Sequence, residues 1–231
     1  MWQLLYREFL NCKMTGKGKE YYKNGDIKYE GDFVDGKREG KGKYIDKDGT
    51  YNGEWLNDLM NGKGILNYNN GTKYEGDFVN GKFEGKGQFT FEDWEYYIGE
   101  FLNGNKNGKG TDYYKDNKVK YEGDYVNNEF EGKGKLYYED GEYYIGDFFK
   151  GYKHGKGIAY YKNGNIKYDG DFVEDELKGK GKYIYEDGKY YEGQWSNSMR
   201  HGEGILYNKN GKIKHKGIFV NGKFDRNCTI Y

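Results

Sequence analysis

The stretch YEGDFVNGKFEGKGQF at residues 74–89 returns in variant form eight times between Tyr29 and Lys214. Counted from the leading tyrosine, units start at Tyr29, Tyr51, Tyr74, Tyr97, Tyr121, Tyr144, Tyr168 and Tyr191, in steps of 22 to 24 residues. A fixed period of this length means that each unit is one supersecondary element, able to bury its apolar face only against its neighbours. A degenerate unit precedes them from Leu5 and a broken one follows from His215. The chain thus reads as one array: a cap with a degenerate repeat over 1–28, eight tandem repeats over 29–214, and a degenerate C-terminal cap over 215–231.

Within a unit, Y-x-G-x-[FWY] alternates with period two, as a strand with one buried face does. A turn follows, as at Asn80-Gly81-Lys82, then G-x-G and a second strand of the same period. Each unit is expected to be a β-hairpin with a connection of about six residues. In the expected register Phe78 faces Gly85, Gly76 faces Gly87 and Tyr74 faces Phe89, with the rings lying flat over bare glycine backbone. Asp77 then faces Lys86 on the other side, and the same acid–lysine spacing recurs at Glu8/Lys17, Asp32/Lys41, Glu54/Lys63, Glu100/Lys109, Asp124/Lys133, Asp147/Lys156 and Asp171/Lys180. Where the lysine becomes Glu203, the acid becomes the uncharged Gln194, which avoids like charges directly opposite.

Composition narrows the function classes. With 39 Gly, 28 Tyr, 13 Phe and few aliphatics, the interior has to be built of rings. Lys plus Arg equals Asp plus Glu at 38 each, so no overall field favours nucleic acid. From Tyr74 onward acidic and basic units alternate, and opposite charges about 10 Å apart cancel at a distance. Cys12 and Cys228 form no disulfide framework or metal spacing, which suits a reducing compartment. Arg7 and Glu8 interrupt the opening apolar residues, so no signal peptide is expected, and no apolar run reaches membrane-spanning length.

These residues resemble the MORN repeat (membrane occupation and recognition nexus). Its tryptophan form stands at Tyr51-Asn52-Gly53-Glu54-Trp55 and Tyr191-Glu192-Gly193-Gln194-Trp195, its His-Gly-Lys-Gly exit at residues 154–157, and its Asp-Gly close at Asp48-Gly49, Asp140-Gly141 and Asp187-Gly188. The resemblance implies an all-β fold, an elongated single-layer solenoid-like array of stacked antiparallel β-hairpins with a shallow aromatic groove. It also implies roles in cytoskeletal, ciliary or cortical assemblies, a cytoplasmic location near axoneme, cytoskeleton or the inner face of a membrane, and dimerisation through one end.

The ring column is Phe33, Trp55, Phe78, Phe101, Tyr125, Phe148, Phe172, Trp195 and Phe219; it packs the array and lines a groove for a helix or extended peptide. Nine residues after each leading tyrosine, apolar Met60, Phe83, Phe130, Leu177 and Phe224 alternate with Arg38, Lys106, Lys153 and Arg200. Near the hairpin tips, the apolar ones are either anchors for a partner or side chains folded back over the ring column. His154 and His201 lie two units apart and cannot share a metal; His215 with Cys228 could supply at most half of an intermolecular zinc site. No phosphate loop or activated nucleophile is present, so no enzyme and no cofactor are expected. The function expected is a non-catalytic scaffold for a protein partner. The alternative is a lipid, phosphoinositide or membrane-surface binder, which the family name favours and the paired lysines do not.

Overall fold

The structure is a computed structural model and describes residues 8–10 and 13–226. The chain divides after Lys118 into two compact units. The first carries β1 (Glu8–Leu10), β2 (Lys13–Tyr21), β3 (Ile27–Val34), β4 (Lys37–Ile45) and β5 (Gly49–Leu56). It continues with β6 (Leu59–Tyr68), β7 (Lys73–Val79), β8 (Lys82–Thr90), β9 (Tyr96–Leu102) and β10 (Asn105–Tyr113). The second carries β11 (Val119–Val126), β12 (Glu129–Tyr137), β13 (Tyr143–Phe149), β14 (Tyr152–Tyr160) and β15 (Ile166–Val173). It ends with β16 (Glu176–Ile184), β17 (Tyr190–Ser196), β18 (Met199–Tyr207), β19 (Ile213–Val220) and β20 (Lys223–Phe224). Within each unit, strands consecutive in sequence pair antiparallel, giving an all-β, single-layer array of hairpins that does not close into a barrel.

The glycine pair is the fixed point of the register. Gly76 stands opposite Gly87 and Tyr74 opposite Phe89, as expected. Beyond the pair the hairpin register slips by two: Asp77 meets Glu84 and Phe78 meets Phe83. Gly85 makes the slip possible by taking φ +58, a conformation nearly closed to residues with a Cβ. Two consequences correct the sequence reading. The connection is a two-residue turn rather than six, with Asn80 at φ 49 and Gly81 at φ 79, the left-handed pair that matches strand twist. Gly85 faces Phe101 of the next hairpin rather than Phe78, just as Gly62 faces Phe78.

The acid–lysine pairing is corrected for the same reason. Lys63 ion-pairs with Asp77 at 2.5 Å across the boundary between hairpins, and Lys17 with Asp32 at 2.7 Å, Lys133 with Asp147 and Lys156 with Asp171 do likewise. Within its own hairpin Asp77 instead accepts the backbone N–H of Lys86 at 3.2 Å, as Asp32 accepts that of Lys41 at 3.1 Å. Gln194 keeps the same role, its Oε1 accepting the N–H of Glu203 at 2.9 Å, while Glu203 faces Ile218. The side chain of Glu8 lies outside the described residues.

Asp32, Asp77, Asp147 and Asp171 each tie both neighbouring strands at once, and Asp32 shows what that implies. The Lys17 hydrogen bond holds its carboxyl below the usual range, against burial, which raises it, and with help from the Lys41 N–H. Lys17 is 77% exposed and Asp32 33%. Asp32→Ala, which strands a backbone donor, should cost about 1–2 kcal/mol, and Lys17→Ala less than about 0.5 kcal/mol. Urea midpoints of the two variants check this; equal losses would show that the exposed ion pair, not the N–H bond, carries the stability.

Candidate functional site

The core of each unit is one column of leading tyrosines: Tyr29, Tyr51, Tyr74 and Tyr97 in the first, Tyr121, Tyr144, Tyr168 and Tyr191 in the second, all at most 1% exposed. The ring lying over each glycine pair belongs to this column, not to the one expected from sequence. Tyr74 Oη reaches past the pair and donates to the Asp77 carbonyl at 2.9 Å. The expected ring column stands edge-on to the tyrosines, Tyr74 contacting Phe78 and Phe101 at 5.1 Å and 88° each. Phe33, Trp55, Phe78, Phe101, Tyr125, Phe148, Phe172 and Trp195 are all buried, so their rings pack the sheet and the surface above them is built by other residues.

That surface is the position nine residues after each tyrosine. Phe83 stacks on Tyr74 at 3.8 Å and Phe130 on Tyr121 at 3.7 Å, while Phe224 stacks on His215 at 4.6 Å. In the intervening units a cation takes the same seat: Arg38 lies over Tyr29, Tyr44 and Trp55, Lys106 over Tyr97, and Lys153 over Tyr144 and Phe172. Arg38 pairs with Glu20 at 2.7 Å, Lys106 with Asp112 at 2.5 Å and Lys153 with Asp175 at 3.7 Å. A flat aromatic or a cation serves equally as a lid over a tyrosine face. Met60, Phe83, Phe130, Leu177 and Phe224 are half-buried, folded back over the column with one side still open to solvent.

One gap interrupts the row beside this tier. Opposite the leading tyrosines stand residues such as Tyr44, Leu66, Phe89, Leu136, Tyr183 and Leu206, but Tyr144 and Tyr168 have Ala159 between them. The missing side chain opens a cavity of about 580 Å³ walled by Tyr143, Tyr144, Tyr160, Phe172, Leu177 and Tyr183, with Lys153, Lys167, Glu142 and Asp175 also lining it. Ala159 is the sole alanine of the sequence, and that singularity was the available signal.

Two features of the opposite face have no counterpart in the sequence reading. The bare glycine pairs leave a shallow trough of about 940 Å³ in the first unit, bordered by Ile65, Ile98, Lys63, Glu75, Lys86 and Gln88. At the hairpin tips an exposed apolar row runs through Val34, Leu56, Val79 and Leu102 in the first unit, and Val126, Phe149 and Val220 lie in the second. Its signal was the apolar residue five after every leading tyrosine except Tyr191, where Ser196 stands.

Burial pushes Tyr29, Tyr51, Tyr74, Tyr97, Tyr144 and Tyr168 above the ordinary tyrosine value of 10, with a nearby carboxylate adding to each shift. Tyr191 rises to about 12, its burial opposed by Arg200. His215 is lowered by burial and by Lys214, Arg226 and Arg200, and Cys228 lies outside the described residues, as does Cys12. Among the described residues no group of three or more His, Cys, Asp or Glu could hold a metal ion, and no helix is long and apolar enough to cross a membrane.

No curated protein matches the sequence. A solved structure of the SAS-4 (dCPAP) TCP domain in complex with a proline-rich motif of Ana2 (dSTIL), from Drosophila melanogaster, is similar at 16% identity and a TM-score of 0.39. That similarity covers 75% of this chain and 87% of the other. The MORN repeat matches residues 8–27, 29–50, 51–73, 74–96, 97–118, 121–143, 144–166, 168–190 and 191–213. Nearly the whole chain is therefore repeat, and the protein belongs to the MORN repeat family, a non-catalytic scaffold fold.

Proposed function

We propose that the protein is a non-catalytic scaffold that holds a protein partner, a helix or an extended peptide, along the tyrosine face. The observation that carries this reading is the half-exposed tier of Met60 and Phe83 in one unit and Phe130 and Leu177 in the other, above a buried column and, among the described residues, with no second layer over it. Successive tier positions are two strands apart, about 10 Å. That step matches seven residues of a helix or one three-residue turn of an extended polyproline II chain, so a regular partner can meet the tier in register. Family resemblance supports a place in a cytoskeletal, ciliary or cortical assembly.

The repeat itself supplies the test. Arginine is already seated at this position as Arg38 and Arg200, so Phe83→Arg and Phe130→Arg should leave the circular dichroism spectrum unchanged. Together they should lower retention of a cross-linked partner about tenfold, as should Ala159→Leu, which copies Leu66 and Leu136. Folded variants that keep the partner would overturn the tyrosine-face reading. Retention by anionic vesicles without any protein would move the function to lipid.

A further inference from the structure

The loops joining one hairpin to the next share a design, apart from the shorter β4–β5 loop, which closes with the Asp46 N–H donating to the Gly49 carbonyl at 3.0 Å. Their fourth residue takes a left-handed φ, and glycine or asparagine fills it at Gly25, Gly71, Asn117, Gly141, Gly164, Gly188 and Gly211, with φ from 65 to 95. In the loop between β8 and β9 that seat holds Trp94, at φ 69. The loop closes like the others, the Trp94 N–H donating to the Phe91 carbonyl at 3.1 Å and the Phe91 N–H to that of Glu95 at 2.8 Å. A bulky aromatic is a rare and unfavourable occupant of this backbone region.

Nothing within the fold compensates. Trp94 is 69% exposed, the most exposed large apolar side chain described, and its indole makes no ring contact and no hydrogen bond. The other described tryptophans, Trp55 and Trp195, are buried in the column, where each indole N–H donates to a carbonyl at 3.1 Å. Glu92 and Asp93 immediately precede Trp94 on its loop, Asp93 Oδ1 accepting the Glu95 N–H at 3.2 Å; Lys115 and Lys118 stand on the following loop, where Lys118 pairs with Asp116.

We infer that Trp94 is a docking site for a cationic protein segment, an arginine of that segment lying on the indole face while its neighbours meet Glu92 and Asp93. The indole offers the best aromatic face for a guanidinium, and flanking carboxylates select positive charge. The same carboxylates set the loop against an anionic membrane, where an exposed tryptophan would otherwise be at home. Because this site lies on a loop joining hairpins, it is independent of the tyrosine-face reading and survives or falls without it.

The experiment uses the full chain and tryptophan emission, with Trp94→Gly as the blank and as the test variant. An eleven-residue peptide alternating arginine and serine should shift or quench the Trp94 emission, and 0.5 M salt should abolish the effect. The glutamate–serine peptide and vesicles of phosphatidylcholine with phosphatidylserine should not. By isothermal titration calorimetry Trp94→Gly, which restores the residue usual at that seat, should bind the arginine peptide at least about tenfold more weakly than the parent, with its melting temperature within about 2 °C of the parent or above it. Equal peptide binding by the variant, no emission change with the peptide, or a response to vesicles alone would each overturn the proposal. So would a fall in melting temperature beyond about 5 °C, which would make Trp94 a packing residue.

Discussion

Gly87→Ala is expected to disrupt the middle of the first unit, although it adds one methyl group to a sheet. A Cβ there would stand 2.5 Å from Tyr74 Oη and 2.7 Å from its Cε2 and Cζ. The ring has nowhere to retreat: Phe78 and Phe101 hold it edge-on at 5.1 Å, and Phe83 covers its face at 3.8 Å. Tyr74 must therefore leave its seat, abandoning its bond to the Asp77 carbonyl. Displacing a buried aromatic costs about 3–5 kcal/mol, well above the 1–3 kcal/mol typical of an extra methylene in a yielding core. For a chain of this length that lowers the melting midpoint by roughly 6–20 °C. Hydrogen exchange should show the lost protection concentrated in β7, β8 and β9, because repeats couple mainly to their neighbours. Gly81→Ala is the control. Nothing lies within 4 Å of its added methyl, and only φ 79 opposes it, so about 1 kcal/mol is expected. Equal losses in the two variants would mean that backbone conformation, not the tyrosine ring, is what the paired glycines protect.

Alkali should unfold the protein steeply from just above pH 10. Tyr29, Tyr51, Tyr74, Tyr97, Tyr144, Tyr168 and Tyr191 all have folded values raised above the ordinary 10. Burial is the first cause in each, since the phenolate is worse solvated inside than the neutral phenol. The unfolded chain therefore releases these protons first, and above pH 10 it binds fewer protons than the folded chain. Stability is fully present below pH 10 and falls as pH climbs toward the folded values, the lowest of them about 12 at Tyr191. Each wholly buried tyrosine contributes a slope of at most about 1.4 kcal/mol per pH unit, and several acting together exceed any single substitution considered above. Phenolate absorbance at 295 nm checks it: the buried column should titrate only together with loss of the β-sheet circular dichroism signal. A column that titrates while the sheet persists would contradict its burial.

How much of this was legible in the residues follows from side-chain parity. Alternation about each glycine pair assigns every side chain to a face, and the structure agrees at Gly76 with Gly87 and Tyr74 with Phe89. The slip of two beyond that pair preserves the alternation, so facing parity cannot separate Lys86 from Glu84 opposite Asp77, and charge complementarity chose Lys86 because the true partner, Lys63, lies on the neighbouring hairpin. Gly85, needed for its φ of +58, resembled one more small residue beneath a ring. The seat shared by Phe83 and Arg38 was visible as an alternation, yet its use as a lid over Tyr74 or Tyr29 depends on where the slipped strand carries it.

The sequence alone determined the period, the strand faces, the ring-built interior and the obligatory glycine pairs, because these are local and repeat in every unit. Only the tertiary structure decided which hairpin receives each lysine, which ring lies on the glycines and which side chains stay uncovered at Trp94 and around Ala159. Those outcomes depend on how neighbouring strands register and pack, and a slip of two residues changes them while leaving the pattern of the chain untouched.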